Sequence, residues 1–568
     1  MLLNFAAWIY MAALSYLYGW AIWTFLTSSG FSGGKGDLPL PLKLILGLGT
    51  LAILATALSL WLPVGLGANA LLWLGAIARV LAQRKSFISS LQSDLSQLNA
   101  SFNLADIGIL LISVLLIFQS SVGPFNYDTG LYHLQATKWI EQYGIVPGLG
   151  NLHTRLAFGS SWFPLAALFS FSKLLPQPLH SVNGFLLLLC LLFAFSSIKA
   201  LIAGNITSAK SVQLLATIPF IHLIYDPLRF SVEVSSLSTD MPVAAILLVI
   251  LILAMQLQDR EVEESALPGY LAIVAYLTLI AIAIKVSAFP IALVTIYLFI
   301  SYRRHVSPRL LLILGSLGLV TLVPFLIRNI ILSGYLIYPF YQLDIFSVDW
   351  KIPLETAVDD RLSIGTWVKA PGKSAAELAA GGWGSWLPGW WGRVSQDWVI
   401  RSWPVAIALT LIAGLVWKSP VQAIINRWKW LYGLLAVGIV LWFFNSPDIR
   451  LGYGFLTGLP LLLIAPGITQ LLKISHTRRR TAMLTAYAYG CLLFSIIKFN
   501  FYPTDYEFLT LPMDYPPSQI QAAVVHGIEV YWPLETDQCW NADLPCLNRF
   551  SDSWQLRGET LKAGFRYE

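Results

Sequence analysis

Long apolar runs recur along almost the whole chain. A run of bilayer-crossing length leaves its backbone one open-ended option, a helix that satisfies its own N–H and C=O groups. About fourteen such runs can be marked: 4–27, 42–63, 67–83, 104–121, 180–202, 209–225, 240–257, 267–284, 287–301, 308–327, 402–417, 430–445, 452–472 and 481–498. Of the 568 residues, 57% are hydrophobic and 12% charged, against about 25% charge in a soluble globule. The expected fold is an all-α polytopic membrane protein of about 14 transmembrane helices. The first run has no basic leader and no small-residue cleavage site, so it reads as a retained helix. The stretch Trp162 to Leu175 is short and interrupted by Ser and Pro, and it is expected at the membrane interface.

The net charge of +6 comes from basic residues dispersed in short clusters between apolar runs. That pattern sets orientation in a membrane and does not point to nucleic acid. Arg84 with Lys85, Lys199 with Lys210, Arg303 with Arg304 and Arg309, Lys418 with Arg427 and Lys429, and Lys473 with Arg478 to Arg480 all fall on one side. By the positive-inside rule that side is cytoplasmic. The opposite side receives the long loops 122–179, 226–239 and 328–401, the short turn 446–451 and the tail 499–568. This parity requires that 162–175 does not cross. Three regions follow: N-terminal helices over 1–103, a central region over 104–498, and the tail over 499–568. In an oxidising outer compartment Cys539 and Cys546 are a candidate disulfide. Their C-x6-C spacing has no companion ligands, so no metal site is expected. Cys190 and Cys491 lie within apolar runs as fillers.

Several ionisable residues stand at the outer ends of the spans. Asp128 lies just past the run 104–121, in Phe125-Asn-Tyr-Asp-Thr-Gly-Leu-Tyr-His133. A carboxylate at membrane depth costs roughly 2.5–3.5 kcal/mol on insertion scales, so its presence calls for a reason. Tyr132, Ala136, Trp139, Ile140 and Tyr143 form an apolar helical stripe, and Thr129, His133, Thr137 and Glu141 another face. An amphipathic interfacial helix ending at Gly144 is expected. Asp128 then either caps that helix electrostatically or works as a base; His133 is either its neighbour or an ordinary interfacial histidine. Asp240, in Ser238-Thr-Asp-Met-Pro242, either belongs to an N-cap with Pro242 in the first turn or joins Asp128 on its side of the membrane. Lys285 snorkels or meets a lipid phosphate. Arg328 anchors the end of its span or grips a phosphate. Asp448 and Arg450 sit two apart in a short turn and can pair with each other.

These motifs resemble the GT-C superfamily, in particular the dolichyl-phosphate-mannose–protein mannosyltransferase and aminoarabinose transferase group. Tyr127-Asp128 with Tyr132-His133 looks like the group's first-loop acidic motif, and Thr239-Asp-Met-Pro242 like its second. Ile284-Lys285 resembles its helix-turn lysine. Ile327-Arg-Asn329 with Gly334 and Tyr338-Pro-Phe340 is similar to its Arg-Asn…Gly…Tyr-Pro pattern. Two departures stand out: Thr129 replaces the second acid often found after the first, and Tyr-Leu-Ile follows Gly334 in place of Asn-Pro. The tail and Pro447-Asp-Ile-Arg450 look like a bacterial subgroup of polytopic membrane proteins. The resemblance implies a GT-C-like bundle with periplasmic juxtamembrane helices, in the bacterial inner membrane with its site facing the periplasm. It implies sugar transfer with inversion from a polyprenyl-phosphate donor to a lipid, glycan or protein. Asp128 and Asp240 would be catalytic, and His133, Lys285, Arg328, Asn329 and Arg450 would bind substrate. The cofactor is left open, a divalent metal being compatible with the sequence but not supported by it, and membrane lipids are the expected surroundings. The rival readings are a flippase or transporter of a lipid-linked saccharide, and a polysaccharide ligase or polymerase relying on loop residues such as His153 and Arg155.

Overall fold

The structure, a computed structural model, describes residues 1–28, 38–98, 103–226, 231–499 and 509–568. Parts of the expected outer loop 226–239 and the start of the tail lie outside the described residues. Among the described residues ten helices are long and apolar enough to cross a membrane, from Leu2–Thr27 to Thr477–Lys498. The protein is an all-α multi-pass membrane protein with a small β-structured tail.

The remaining apolar runs are helical but shorter or broken, for local reasons. The run 209–225 splits into Ser208–Leu215 and Thr217–His222. Pro219 explains the break: its ring clashes with the carbonyl four residues back, that of Leu215. Pro290 likewise falls in the run 287–301, which opens as a 3₁₀ segment, Val286–Ile291, before the helix Ala292–Ser301. The run 104–121 gives Leu104–Gln119, started by a capping box between Asn103 and Asp106. The run 67–83 gives Leu66–Ala82, after which the chain turns by 98° into Arg84–Ser96. A buried ion pair fastens this bent helix: Lys43 Nζ lies 2.5 Å from Asp94, and the Tyr16 hydroxyl donates to Asp94 at 2.6 Å.

Helix Asp240–Gln258 shows how the bundle's two ends differ. Its 19 residues span about 28 Å at 1.5 Å per residue, close to the ~30 Å hydrocarbon core. Beyond its C-terminus, Asp259 pairs with Arg427 at 3.0 Å. At that same end Lys210 meets Glu261 at 3.3 Å, Lys199 meets Asp106 at 3.7 Å, and Arg480 donates to the Ile202 carbonyl at 2.9 Å. Members of three separated basic clusters thus sit at helix ends remote from Asp240. The long loops and the tail pack at the other end.

Two expectations change there. Helix Leu134–Tyr143 does end at Gly144, whose φ is +76°, but its polar face is not open: Gln135, Thr137 and Glu141 are buried like Ala136, Trp139 and Ile140. The tail covers it on one side and helix Trp162–Leu168 packs on another. Trp162–Leu168 itself is wholly buried in protein and not laid on a surface. Its seven residues reach only about 10 Å, too short to cross. The tail holds the antiparallel pair Ile520–Val525 and Ile528–Pro533, joined by a two-residue turn in which His526 and Gly527 both have positive φ, the geometry of a type I′ hairpin. A second pair joins Trp554–Leu556 to Phe565–Tyr567. Cys539 and Cys546 form a disulfide, while Cys190 and Cys491 are free and buried.

Helices Leu2–Ser28 and Leu40–Leu58 touch backbone to backbone. A Cβ on Gly47 would lie 1.7 Å from the Ser15 carbonyl oxygen, and one on Gly19 1.9 Å from that of Lys43. Gly47→Ala is therefore expected to cost about 1–3 kcal/mol or more of stability. Gly315→Ala, whose Cβ meets nothing within 4 Å, should be neutral to mildly favourable. Unfolding midpoints in detergent check the contrast; equal effects would contradict it.

Candidate functional site

Four of the predicted residues, from four separated segments, meet at the loop-bearing end of the bundle. Asp128 and Arg450 are joined by a 2.7 Å hydrogen-bonded ion pair. Arg450 Nε also lies 3.6 Å from Asp240 and 3.7 Å from Asp448. The other Asp240 oxygen pairs with Lys285 Nζ. The cluster thus alternates in sign: Asp128, Arg450, Asp240, Lys285. These side chains are between 12% and 30% exposed, enough to be reached by a ligand.

Local structure accounts for each placement. Asp128 precedes a π-helical turn, Thr129–His133, and makes no capping hydrogen bond to it; its carboxylate goes to Arg450 instead. Asn126 steadies that turn by accepting from the Thr129 N–H at 3.1 Å and donating to Glu233 at 3.1 Å. Asp240 opens its helix without a side-chain cap from Thr239, which leaves its oxygens for the two cations. Lys285 ends helix Leu267–Ile284 in extended backbone, so its side chain turns back to Asp240. The short turn before Arg450 is gripped by two indoles: Trp390 donates to the Pro447 carbonyl and Trp442 to that of Asp448, each at 2.6 Å. Asp448 caps the helix Ile449–Ile474 through the Arg450 N–H at 3.1 Å. Arg450 therefore does meet Asp448, but its guanidinium reaches on to two other carboxylates.

Electrostatics follow from this geometry. Burial alone would raise the Asp128 pKa, but Arg450, with Lys285 nearby, holds it below the usual carboxylate range. Asp128 is ionised at neutral pH. Burial pushes His133 down to about 4, so its imidazole is neutral there. The His133 Nδ1 lies 3.3 Å from the Thr129 hydroxyl, and its ring packs against Tyr132 and Phe163.

A cavity of about 50 Å³ opens beside Asp240 and Arg450, with Asn126, Glu233, Asp397, His222 and Tyr453 among its lining residues. Arg328 and Asn329 do not join the cluster. Arg328 is buried beside a smaller, mostly apolar cavity of about 10 Å³. It donates to Ser59 Oγ at 2.6 Å and to the Gly144 carbonyl at 3.4 Å. Its Nε has no hydrogen-bond partner, and no carboxylate is among its partners in the described residues. Asn329 donates to the carbonyl of Phe325 at 2.9 Å and packs under Gly159, where a Cβ would come within 2.5 Å of it. Tyr132, Phe158 and Phe163 form an aromatic partition beside this cavity and the His133 ring. Arg155 lies behind the partition and pairs with Asp360 at 3.4 Å.

Sequence reading passed over Asn126, Glu233, Asn183, Trp390 and Trp442. Asn183 is the most legible of these: a polar residue opening a span, which calls for partners. It accepts from the Trp162 indole at 2.6 Å and donates to the carbonyls of Glu233 and Ser238. Among the described residues no three His, Cys, Asp or Glu side chains gather as a metal site.

No curated protein and no solved structure matches the chain. The family described as a domain of unknown function, DUF8201, matches residues 1–457, a stretch that holds the Asp128–Arg450–Asp240–Lys285 cluster together with Arg328, and the chain belongs to that family.

Proposed function

We propose that this protein is a GT-C-type membrane glycosyltransferase. It takes a sugar from a polyprenyl-phosphate donor and passes it to an acceptor at the periplasmic face of a bacterial inner membrane. The observation that carries this reading is the convergence of Asp128, Asp240, Lys285 and Arg450 at one end of the bundle; Arg328 is buried across the aromatic partition from them, with no carboxylate partner among the described residues. Basic residues gather at the opposite end of the bundle, and the positive-inside rule, which favours a cytoplasmic side for them, supports a periplasmic side for the site.

The chemistry divides among these groups. The acceptor hydroxyl adds to the anomeric carbon from the face opposite the phosphate, so configuration inverts. Its proton passes to Asp128, and the sugar–phosphate C–O bond breaks with its electron pair going to the phosphate. Asp128 is kept ionised by Arg450, so it is always available to accept the hydroxyl's hydrogen bond. It is a weak base, and the proton transfers as bond formation acidifies the oxygen. Lys285 and Arg450 fix the two carboxylates and offset negative charge as the phosphate departs. Arg328, desolvated and without a carboxylate partner, suits the phosphate itself.

The direct test is mass spectrometry of lipid-linked sugars and surface glycans in a strain lacking the gene. Accumulation of a polyprenyl-phosphate sugar, with loss of one glycan, is expected; an unchanged inventory of both would refute the reading. A second expectation concerns Arg328. An uncompensated buried cation destabilises the ligand-free fold. Arg328→Met should therefore raise the unfolding midpoint in detergent while abolishing product. Added polyprenyl phosphate should raise the wild-type midpoint and leave that of the variant unchanged.

A further inference from the structure

The Asp128 turn is held from outside by a part of the chain that the proposed chemistry does not use. We infer that the disulfide-closed loop Cys539–Cys546 is the positioning element for Asp128, with Trp540 as its contact residue.

The π-helical turn after Asp128 is an uncommon backbone form that persists where its surroundings fix it. On one side Asp128 meets Arg450, and Thr129 Oγ1 accepts from the Leu237 N–H at 3.4 Å. The other side belongs to the tail. The Trp540 backbone N–H donates to the Gly130 carbonyl at 3.0 Å, and its indole packs against Gly130 so closely that a Cβ there would come within 2.5 Å of the ring. Gly130 is thus required for close approach and not for a special φ.

The grip extends to both flanks of the turn. Before it, the Tyr127 hydroxyl donates to Asp537 at 2.5 Å, and the Tyr127 carbonyl accepts from Gln538 at 2.9 Å. After it, Gln135 donates to the carbonyls of Trp540 and Ala542, each at 3.0 Å. Lys138 donates to the carbonyls of Asn541 and Ala542 at 3.2 and 3.0 Å and pairs with Asp543 at 3.1 Å. Most of these acceptors are backbone carbonyls of an irregular loop. Such acceptors keep their places only if the loop is itself held. The disulfide holds it, and the bonds between Tyr531 and Pro545 (3.0 Å) and between Leu547 and Tyr531 (2.8 Å) tie it to the hairpin. An oxidising compartment keeps that crosslink closed.

This inference does not depend on sugar transfer, and its test reads the turn and not turnover. Hydrogen–deuterium exchange is followed on the full-length protein in detergent, before and after reduction with a phosphine, and in Trp540→Ala and Trp540→Phe. Reduction and Trp540→Ala should each speed exchange of the 129–138 amides at least tenfold, with peptides of Asp240–Gln258 unchanged. Trp540→Phe, which keeps a ring on Gly130, should stay within threefold of wild type. In situ reduction needs no refolding, so it decides the matter even if a variant fails to fold. Unchanged exchange over 129–138 would overturn the inference, and so would equal acceleration everywhere, which would make the disulfide a general staple. A positioning role also predicts that Trp540→Ala lowers the unfolding midpoint less in an Asp128→Asn background than in wild type. Strictly additive losses would reduce Trp540 to ordinary packing.

Discussion

Asp128→Asn is expected to lower sugar transfer by about 10²- to 10⁴-fold, the range for removing a positioned general base, with expression and topology intact. The amide is nearly the same size, and it can still accept the Arg450 hydrogen bond that now spans 2.7 Å. What it loses is the negative charge that draws the acceptor proton. Asp240→Asn should behave differently, because Asp240 is engaged by both Lys285 and Arg450; its loss disturbs two cations and is expected to affect stability as well as turnover. Product formation in membranes carrying each variant, measured beside a topology reporter, separates the two. A fully active Asp128→Asn protein would remove the proposed base.

The largest effect on stability is expected at Arg450. Arg450→Gln removes the guanidinium that faces Asp128, Asp240 and Asp448 at once, while Lys285 stays paired with Asp240. Breaking a buried ion pair from one side costs about 3–5 kcal/mol, and the partial exposure of this cluster places the expected loss near the lower end, about 3 kcal/mol. Arg450→Lys should recover only part of it, since one ammonium cannot replace a fork that addresses Asp128 and Asp240 from different nitrogens. Acid should narrow the difference. Arg450 depresses the Asp128 pKa in the fold, so the stabilisation it brings is fully present above the unfolded-state value of about 3.9 and fades as pH falls through the folded-state value. Unfolding midpoints of wild type and Arg450→Gln, compared from neutral pH into the acid range, test both size and sign. A gap that widens in acid would contradict the pairing described here.

The membrane class and the helix positions were legible because hydropathy is a local property. Asp128, Asp240, Lys285 and Arg450 were also legible, since charges at the ends of apolar runs are costly enough to stand out. Their mutual contacts were not. The Asp128–Arg450 pair joins residues 322 positions apart, and nothing in either segment encodes its partner. Arg328 illustrates the opposite failure. Its motif placed it with the other cations, but the chain folds it toward Ser59 and Gly144, on the far side of an aromatic partition no spacing rule predicts. The polar face of helix Leu134–Tyr143 read as solvent-facing because amphipathic periodicity reports only that two faces differ. Here the second face meets the tail, whose first hairpin turns at His526-Gly527, a dipeptide outside the usual Asn-Gly or Asp-Gly hairpin signals.

The same long-range pairing sets a schedule for biosynthesis. Asp128 leaves the ribosome 322 residues ahead of Arg450, which at about 5–20 residues per second is roughly 15–60 s. Through that interval the carboxylate stands at the membrane surface with neither Arg450 nor the tail loop in place. The turn it occupies can settle only once the last helices are inserted and Cys539 has met Cys546. Chains that stop short of residue 450 carry the acid without its cation. Assembly of this cluster is thus a late event in synthesis, and an intact Asp128–Arg450 pair marks a chain that has been made at least as far as Arg450.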